Sequence, residues 1–525
     1  MSLKNAHPLH SQFLEDWTVC RDTYRGERIV KEKGTLYLPP TSGMVADGMT
    51  AVGSVGYEAY RAYKTRAVFH EFMADAVETL LGMMWNKPPQ IELPKALEGL
   101  MENATLQGEG LEQLLRRINE HQLVSGRLGI LADLPEKPDP ANPLPYIALY
   151  PTETILNWDD GRREDGRDSL NLVVLDESEE ERTADFTWQR VEKYRVLLLG
   201  DITKDPDKAG ENEGVYRAGQ FRSSAYVDSQ MIAPSIRGTT LDHIPFVFVN
   251  TKDIVSTPDD PPLLGLARLC LAIYRGEADY RQALFMQGQD TLVVIGGDDD
   301  KSYRIGANAS IVLKQGGDAK FIGVQATGLT EMRNALENDK TLAQQKAGNL
   351  VDTRSKAKES GEAMSTRLGA QTATLNQIAL TGAYALESIL RSIAVWAGAN
   401  PDEVIVTPNL EFETLTMTGT ELVELMSAKN LGAPISQVTI HRNMQSRGLT
   451  EMDLEEELDA IAEEAPLTPG GPGTVTNPDD PNYDPNKDPN YDPEKDPDSS
   501  RFKDPDVEHE KQLELKKPKD KKEAP

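Results

Sequence analysis

The stretch Leu263-Leu-Gly-Leu-Ala-Arg-Leu-Cys-Leu-Ala-Ile-Tyr-Arg-Gly-Glu-Ala-Asp-Tyr-Arg-Gln-Ala-Leu-Phe-Met-Gln287 follows Pro261-Pro262 and reads as a helix. Downstream of it Thr291 to Ile295, Ala309 to Leu313 and Phe321 to Val324 read as short strands, the first two split by Gly296-Gly-Asp-Asp-Asp-Lys301. Helix resumes from Leu329 to about Gly348. Two helices therefore bracket a β-module of about forty residues. A polar stretch, Asn349-Leu-Val-Asp-Thr-Arg-Ser-Lys-Ala-Lys358, separates this unit from the longest helical pattern, Ser360 to Gly398. Its apolar stripe runs from Ala363 to Trp396, about 60 Å at 1.5 Å per residue. Gly369, and Gly382 next to Thr381, suggest places for it to bend.

Working outward, Gly56 to Lys87 carries apolar residues at three-to-four spacing and ends at Pro88-Pro89, the pattern of one helix of about eight turns. Tyr57, Tyr60 and Tyr63 lie on it at the spacing of a packed face. Leu111 to Ser125 is a second helix, ended by Gly126. Strand-like runs follow at Leu128–Ala132, Tyr146–Tyr150, Leu170–Leu175, Trp188–Leu199 and Phe246–Val249. Beyond the long helix come a short strand at Ile405 and helices near Thr420–Leu431, Ser436–Ser446 and Glu451–Glu464, with Ser436 and Thr450 as N-caps. The fold class is α+β. From Ala465 to Pro525 the chain holds 12 of its 33 prolines and repeats Asp480-Pro-Asn-Tyr-Asp-Pro as Asp488-Pro-Asn-Tyr-Asp-Pro, which reads as an extended or disordered tail ending in the basic Lys516-Lys517-Pro-Lys-Asp-Lys-Lys522.

Composition narrows function. The chain has 525 residues and a net charge of −29, so bulk attraction to nucleic acid or anionic lipid is not its binding principle, and any DNA contact is local. Cys20 and Cys270 are the only cysteines, which points to a reducing compartment and offers no zinc set. The longest apolar run, Thr291 to Ile295, is strand-sized, and no secretion signal precedes Phe13, so neither membrane nor export is expected. Gly296-Gly-Asp-Asp-Asp-Lys-Ser302 fails as a phosphate cradle: it lacks the glycine before Lys301 and sets three carboxylates where phosphate would sit. The same acids lack calcium-loop spacing and read as an exposed turn. Seven histidines form no His-x-x-x-His pair, and no Gly-x-Ser-x-Gly elbow occurs. No catalytic residue, metal or cofactor is expected.

One local exception to the acidic balance remains. Lys346, Arg354, Lys356 and Lys358 face only Asp352 before Glu359. Such a stretch can touch phosphates without reading bases; charge alone favours a solvated loop.

Four ordered stretches together resemble one family. They are Tyr60-Arg-Ala-Tyr-Lys-Thr-Arg-Ala-Val-Phe-His70 through Leu81-Gly-Met-Met-Trp-Asn-Lys-Pro-Pro89, His243-Ile-Pro-Phe-Val-Phe-Val-Asn250, Leu271-Ala-Ile-Tyr-Arg-Gly-Glu-Ala-Asp-Tyr280 leading into Thr291-Leu-Val-Val-Ile-Gly296, and Ser360-Gly-Glu-Ala-Met-Ser-Thr-Arg-Leu-Gly-Ala-Gln-Thr-Ala-Thr-Leu-Asn376. From about Phe13 to Glu464 the chain resembles a subgroup of tailed-bacteriophage portal proteins, the head-to-tail connectors, known by a domain of unknown function. The resemblance implies an elongated subunit with a wing (1–262), stem helices (263–288 and 328–348) around a clip (289–327), a tunnel loop (349–358), a long kinked helix crossing the wing (359–399) and a helical crown (400–464); it gives no role to the tail (465–525). It also implies a homo-oligomeric ring, usually of twelve subunits, at one capsid vertex of the virion, assembled in the bacterial cytoplasm. Double-stranded DNA would pass through the channel during packaging and ejection. Partners would be the terminase, capsid or scaffold proteins and a tail adaptor, with no membrane and no catalysis. Lys346, Arg354, Lys356 and Lys358 then become the candidate DNA-channel residues. A head–tail adaptor ring that never surrounds moving DNA is the alternative, and a hydrolase a more distant one.

Overall fold

A computed structural model describes residues 2–135, 144–162, 168–200, 214–288, 291–295, 313, 315–322, 328–348, 361–412, 419–446, 449–450 and 452–463. The strand expected over Ala309–Leu313, Leu313 excepted, the Asp298–Asp300 turn, the basic residues Arg354, Lys356 and Lys358, and the tail from 465 onward lie outside these residues. The chain divides into two compact units, Met1–Glu413 and Thr414–Pro525.

In the first unit, helices α1 (Pro8–Tyr24), α2 (Glu27–Glu32), α3 (Ser42–Ala46), α4 (Val55–Arg66) and α5 (Phe72–Met84) precede strand β1 (Gln90–Glu92) and α6 (Leu111–Ser125). Strands β2 (Arg127–Asp133), β3 (Tyr146–Pro151), β4 (Ile155–Arg162), β5 (Asp168–Asp176), β6 (Glu179–Arg182), β7 (Trp188–Val191), β8 (Tyr194–Leu199), β9 (Tyr216–Phe221) and β10 (Phe246–Asn250) follow. Then come α7 (Leu264–Gln287), β11 (Thr291–Ile295), β12 (Asp318–Ile322), α8 (Leu329–Gly348), α9 (Gly361–Ala397) and β13 (Ile405–Thr407). The α+β reading holds. The sheets are antiparallel, ordered β10-β2-β3 and β4-β5-β8-β9, with separate pairs β1-β13, β6-β7 and β11-β12.

Several expectations are met closely. α8 matches its expected limits, and α6 ends where Gly126 adopts φ 72°, the left-handed conformation that frees the chain to enter β2 directly. Others need correction. The single helix expected over Gly56–Lys87 is two, because the backbone turns extended at Ala67 and the following residues serve tertiary contacts. Phe69 is buried with its ring edge-on to Tyr274, His70 reaches Glu277, and the Glu71 carboxylate accepts from the Glu27 amide at 3.1 Å. Trp188–Leu199 is likewise two strands, β7 and β8. The strand expected to open at Phe321 begins earlier, at Asp318, and among the described residues it pairs antiparallel with Thr291–Ile295.

α9 organises the interior. Leu375, Ile378 and Ala379 enter a core shared with α4, α5 and α7; Leu386, Ile389, Leu390 and Ile393 enter one shared with α6 and β2; Trp396 enters a third beneath the larger sheet. Each of these leucine and isoleucine side chains stabilises the fold by about 1.5–3 kcal/mol through burial. By length and composition Ala373–Ala397 could cross a bilayer, contrary to the expectation that the longest apolar run is strand-sized, but 61% of its most apolar window is buried in these cores. It is the central core helix of this unit. No break marks the bend expected at Gly382; its use is close packing, since a Cβ there would lie 2.7 Å from Asn119 Nδ2 and 2.8 Å from Gln122 Oε1.

The second unit contains α10 (Gly419–Asn430), α11 (Gln437–Ser446) and α12 (Leu454–Glu463). Ser436 caps α11 as expected, its Oγ accepting from the Thr439 amide at 3.1 Å. The cap of α12 is Asp453 rather than Thr450. Asp453 accepts from the Glu456 amide at 2.9 Å, while Glu456 reaches back to the Asp453 amide at 3.3 Å, a reciprocal capping box.

Candidate functional site

α7 and α8 run antiparallel. Leu336 of α8 lies against Gly276 of α7, and the Lys346 ammonium sits 3.3 Å from where a Cβ would stand at Gly265. Inward residues of α7 from Leu266 to Ala278 are buried; beyond them Leu284, Phe285 and Met286 are exposed, and α7 leads into the β11–β12 ribbon. The pair thus leaves the core partway along.

Glu277 anchors it there. This carboxylate is almost wholly buried and accepts from Lys340 Nζ and Arg281 Nε, each at 2.7 Å, and from His70 Nε2 at 3.3 Å. Burial by itself pushes its pKa up, but the bonds from Lys340, Arg281 and His70 together outweigh burial and hold it below the ordinary glutamate value. Three segments meet at one acid: α7, α8 and the break between α4 and α5. α4 adds a second clamp. Tyr63 donates to Asp279 at 2.5 Å, Arg66 donates to Gln282, and the Arg66 guanidinium lies 4.1 Å over the Phe285 ring. Tyr60, bonded to the Leu38 carbonyl at 3.0 Å, and Tyr63 are packed side chains, as their spacing suggested.

Of the four basic residues singled out in the sequence, Lys346 falls within the described residues. It is exposed in the last turn of α8, where a cation suits the helix dipole. Arg354, Lys356 and Lys358 lie in the 349–360 segment outside them.

A second polar arrangement was invisible in the sequence. Ser392 of α9 lies 3.1 Å from His243 Nε2, and His243 Nδ1 lies 2.9 Å from Asp242 Oδ1, in the wall of a cavity of about 620 Å³. The outline is that of a Ser–His–Asp relay. Its setting is poor for acyl transfer: Ser392 sits mid-helix, its hydroxyl donates to the Ser388 carbonyl at 3.1 Å, and neighbouring amides are engaged in the helix rather than aimed at an oxyanion. What the bonds do is tie α9 to the segment entering β10. Both thiols are buried, and burial pushes each up to about 12. Among the described residues no cluster of three or more His, Cys, Asp or Glu is placed to hold a metal ion.

A family described as "Domain of unknown function (DUF4055)" matches residues 262–397, the span from α7 through α9. No curated protein matches the chain. Similar solved chains occur in particles of a gene transfer agent (GTA). One, from the neck of an empty particle computed with C6 symmetry, is 13% identical with a TM-score of 0.35, covering 71% of this chain and 90% of its own. Another, from the neck of a native particle computed with C12 symmetry, is 13% identical with a TM-score of 0.33, covering 71% and 89%. A third, from the virion of the native particle, is 13% identical with a TM-score of 0.34, covering 77% and 98%.

Proposed function

We propose that this protein is a structural component of a tailed-phage-like particle, and specifically a portal: a ring at one capsid vertex through which DNA is packaged and ejected. The observation that carries the reading is the antiparallel α7–α8 pair. It is anchored at Glu277 and carries a β-ribbon at its far end, and beyond 349–360 the chain continues as α9, which enters three of the unit's hydrophobic cores. In this reading α7 and α8 are stem helices, 289–327 is the clip that meets terminase and later a tail adaptor, and 349–358 is the tunnel loop. Lys346, Arg354, Lys356 and Lys358 touch phosphates weakly inside a mainly acidic channel, which guides a duplex without holding it. Catalysis belongs to a separate motor protein. An adaptor ring is the second reading, and terminase binding through 289–327 separates the two.

The direct functional test is charge reversal of the four basic residues in the assembling particle. Loss of packaged DNA with rings intact supports the channel role; unchanged DNA yield removes it.

A further inference from the structure

The second unit holds three helices and almost no core. Among its described side chains only Ile440 and His441 are buried. α10, α11 and α12 are 12, 10 and 10 residues long, at or below the roughly 12–15 residues at which a helix holds by itself in water. Packing must therefore maintain them, yet the apolar residues that could supply it face outward. α12 carries Leu454, Leu458 and Ile461 at four-and-three spacing along one face, and Leu458 and Ile461 are exposed. α11 turns Ile440 and His441 inward and leaves Val438 exposed on its outer face, with the exposed Arg442 one turn on. Val423 and Met426 of α10 are open as well, and Leu431 just after it is 88% exposed. Together these side chains present apolar surface on the order of the 800 Å² that one partner brings to a standard interface.

Area calls for a partner of similar size, and charge narrows which face of it is met. α12 holds five acids and no base in its ten residues, whereas residues 431–450 hold Arg442 and Arg447 and no acid. A second α12 laid on the first would set two rows of carboxylates against each other. The α11 face of another copy offers an apolar residue beside a cation instead, and it is itself short of cover. The Asp-Pro repeat over 480–498 is acidic and, its prolines and two tyrosines aside, without apolar residues, so it meets neither requirement.

We infer that α12 of one copy packs through Leu458 and Ile461 on the α11 face of the next, around Val438 and Arg442, so that the second units join in a continuous helical layer. The two faces differ, so the contact is heterologous, and repetition by a closing rotation makes a ring. The inference rests on the ring reading above and names a surface that holds the ring together.

The test uses the full chain carrying Val438→Cys with Leu458→Cys, both at exposed positions; the native thiols at 20 and 270 are buried. Oxidation should give a ladder of covalent multimers from purified rings, while either single variant, or Val438→Cys combined with exposed Glu58→Cys, gives none. Leu458→Asp with Ile461→Asp should lose the ring while tryptophan emission, whose five sources all lie in the first unit, stays at the wild-type value. A disulfide that closes within one chain, dimers from Leu458→Cys alone, or rings that give no 438–458 ladder and survive the double aspartate variant each overturn the inference and leave the ring reading standing. A disulfide from Leu458→Cys to Leu513→Cys in place of the 438–458 ladder assigns the α12 face to the basic 511–522 segment and also overturns it. A monomeric wild type contradicts both.

Discussion

Glu277 of α7 and Lys340 of α8 meet at 2.7 Å with the carboxylate almost wholly buried, and this one bond joins the two helices at the level where they leave the core. Because Arg281 and His70 bind the same acid, removing it strands three donors at once. Glu277→Ala should therefore destabilise the first unit by about 3 kcal/mol, read as a fall in urea midpoint, whereas Lys340→Ala, on a side chain that reaches water, should cost less.

The same acid gives a pH signature. Its folded pKa lies below the ordinary value of 4.5, so its contribution is complete above that value and disappears as pH falls through the lower folded value. Wild-type stability should decline on acidification below about pH 4.5, and Glu277→Gln should flatten that part of the curve measured by urea unfolding. A parallel curve for the variant would remove Glu277 as the cause.

Arg127 offers the opposite case. It is 1% exposed, its guanidinium lies 4.1 Å over Phe248 and 4.7 Å over Trp158, and neither terminal nitrogen has a hydrogen-bond partner among the described residues. Burial lowers its pKa to about 9, against the pull of Asp253 and Asp259. Arg127→Met keeps the packing and removes a desolvated charge, so stability should be unchanged or raised by about 1–3 kcal/mol. Arg127→Ala should lower it through lost contact with both rings.

At Gly382 two effects compete. Alanine gains about 1 kcal/mol of helix propensity, but its Cβ would intrude on Asn119 and Gln122, which link Trp85 Nε1 to the Asn250 carbonyl. Overpacking should win, for a net loss of about 1–2 kcal/mol in thermal unfolding, without a change in helical content.

Ser392→Ala tests whether the His243 arrangement is structural. A loss of about 1 kcal/mol, with no labelling of the wild-type protein by a fluorophosphonate, is expected. Stoichiometric labelling at Ser392 would revive the hydrolase reading.

The α7, α8, α9 and α6 boundaries were readable because each is a long apolar period closed by glycine, proline or a polar run. The missed elements lack that signal. β4 spells Ile-Leu-Asn-Trp-Asp-Asp-Gly-Arg and β9 Tyr-Arg-Ala-Gly-Gln-Phe, strands whose partners rather than their alternation place them in the sheet. α1 buries His10, Asp22 and Thr23 beside Trp17, so its inner face does not read as apolar. The turn at Ala67–Glu71 was hidden because its residues keep helical spacing while their bonds go to Glu27, Tyr274 and Glu277. Site geometry was harder still. Glu277 looks like one polar residue on an amphipathic helix until Lys340 and His70 are brought to it, and His243 and Ser392 are 149 positions apart.

In the proposed function, copies of this chain build a ring around a channel. Negative-stain averaging of the purified protein reads both mass and symmetry, and for a 58.0 kDa chain a monomer and a ring differ by about an order of magnitude. Closed rings of about twelve subunits with an axial channel are expected; a monomer that persists across salt conditions would contradict the ring.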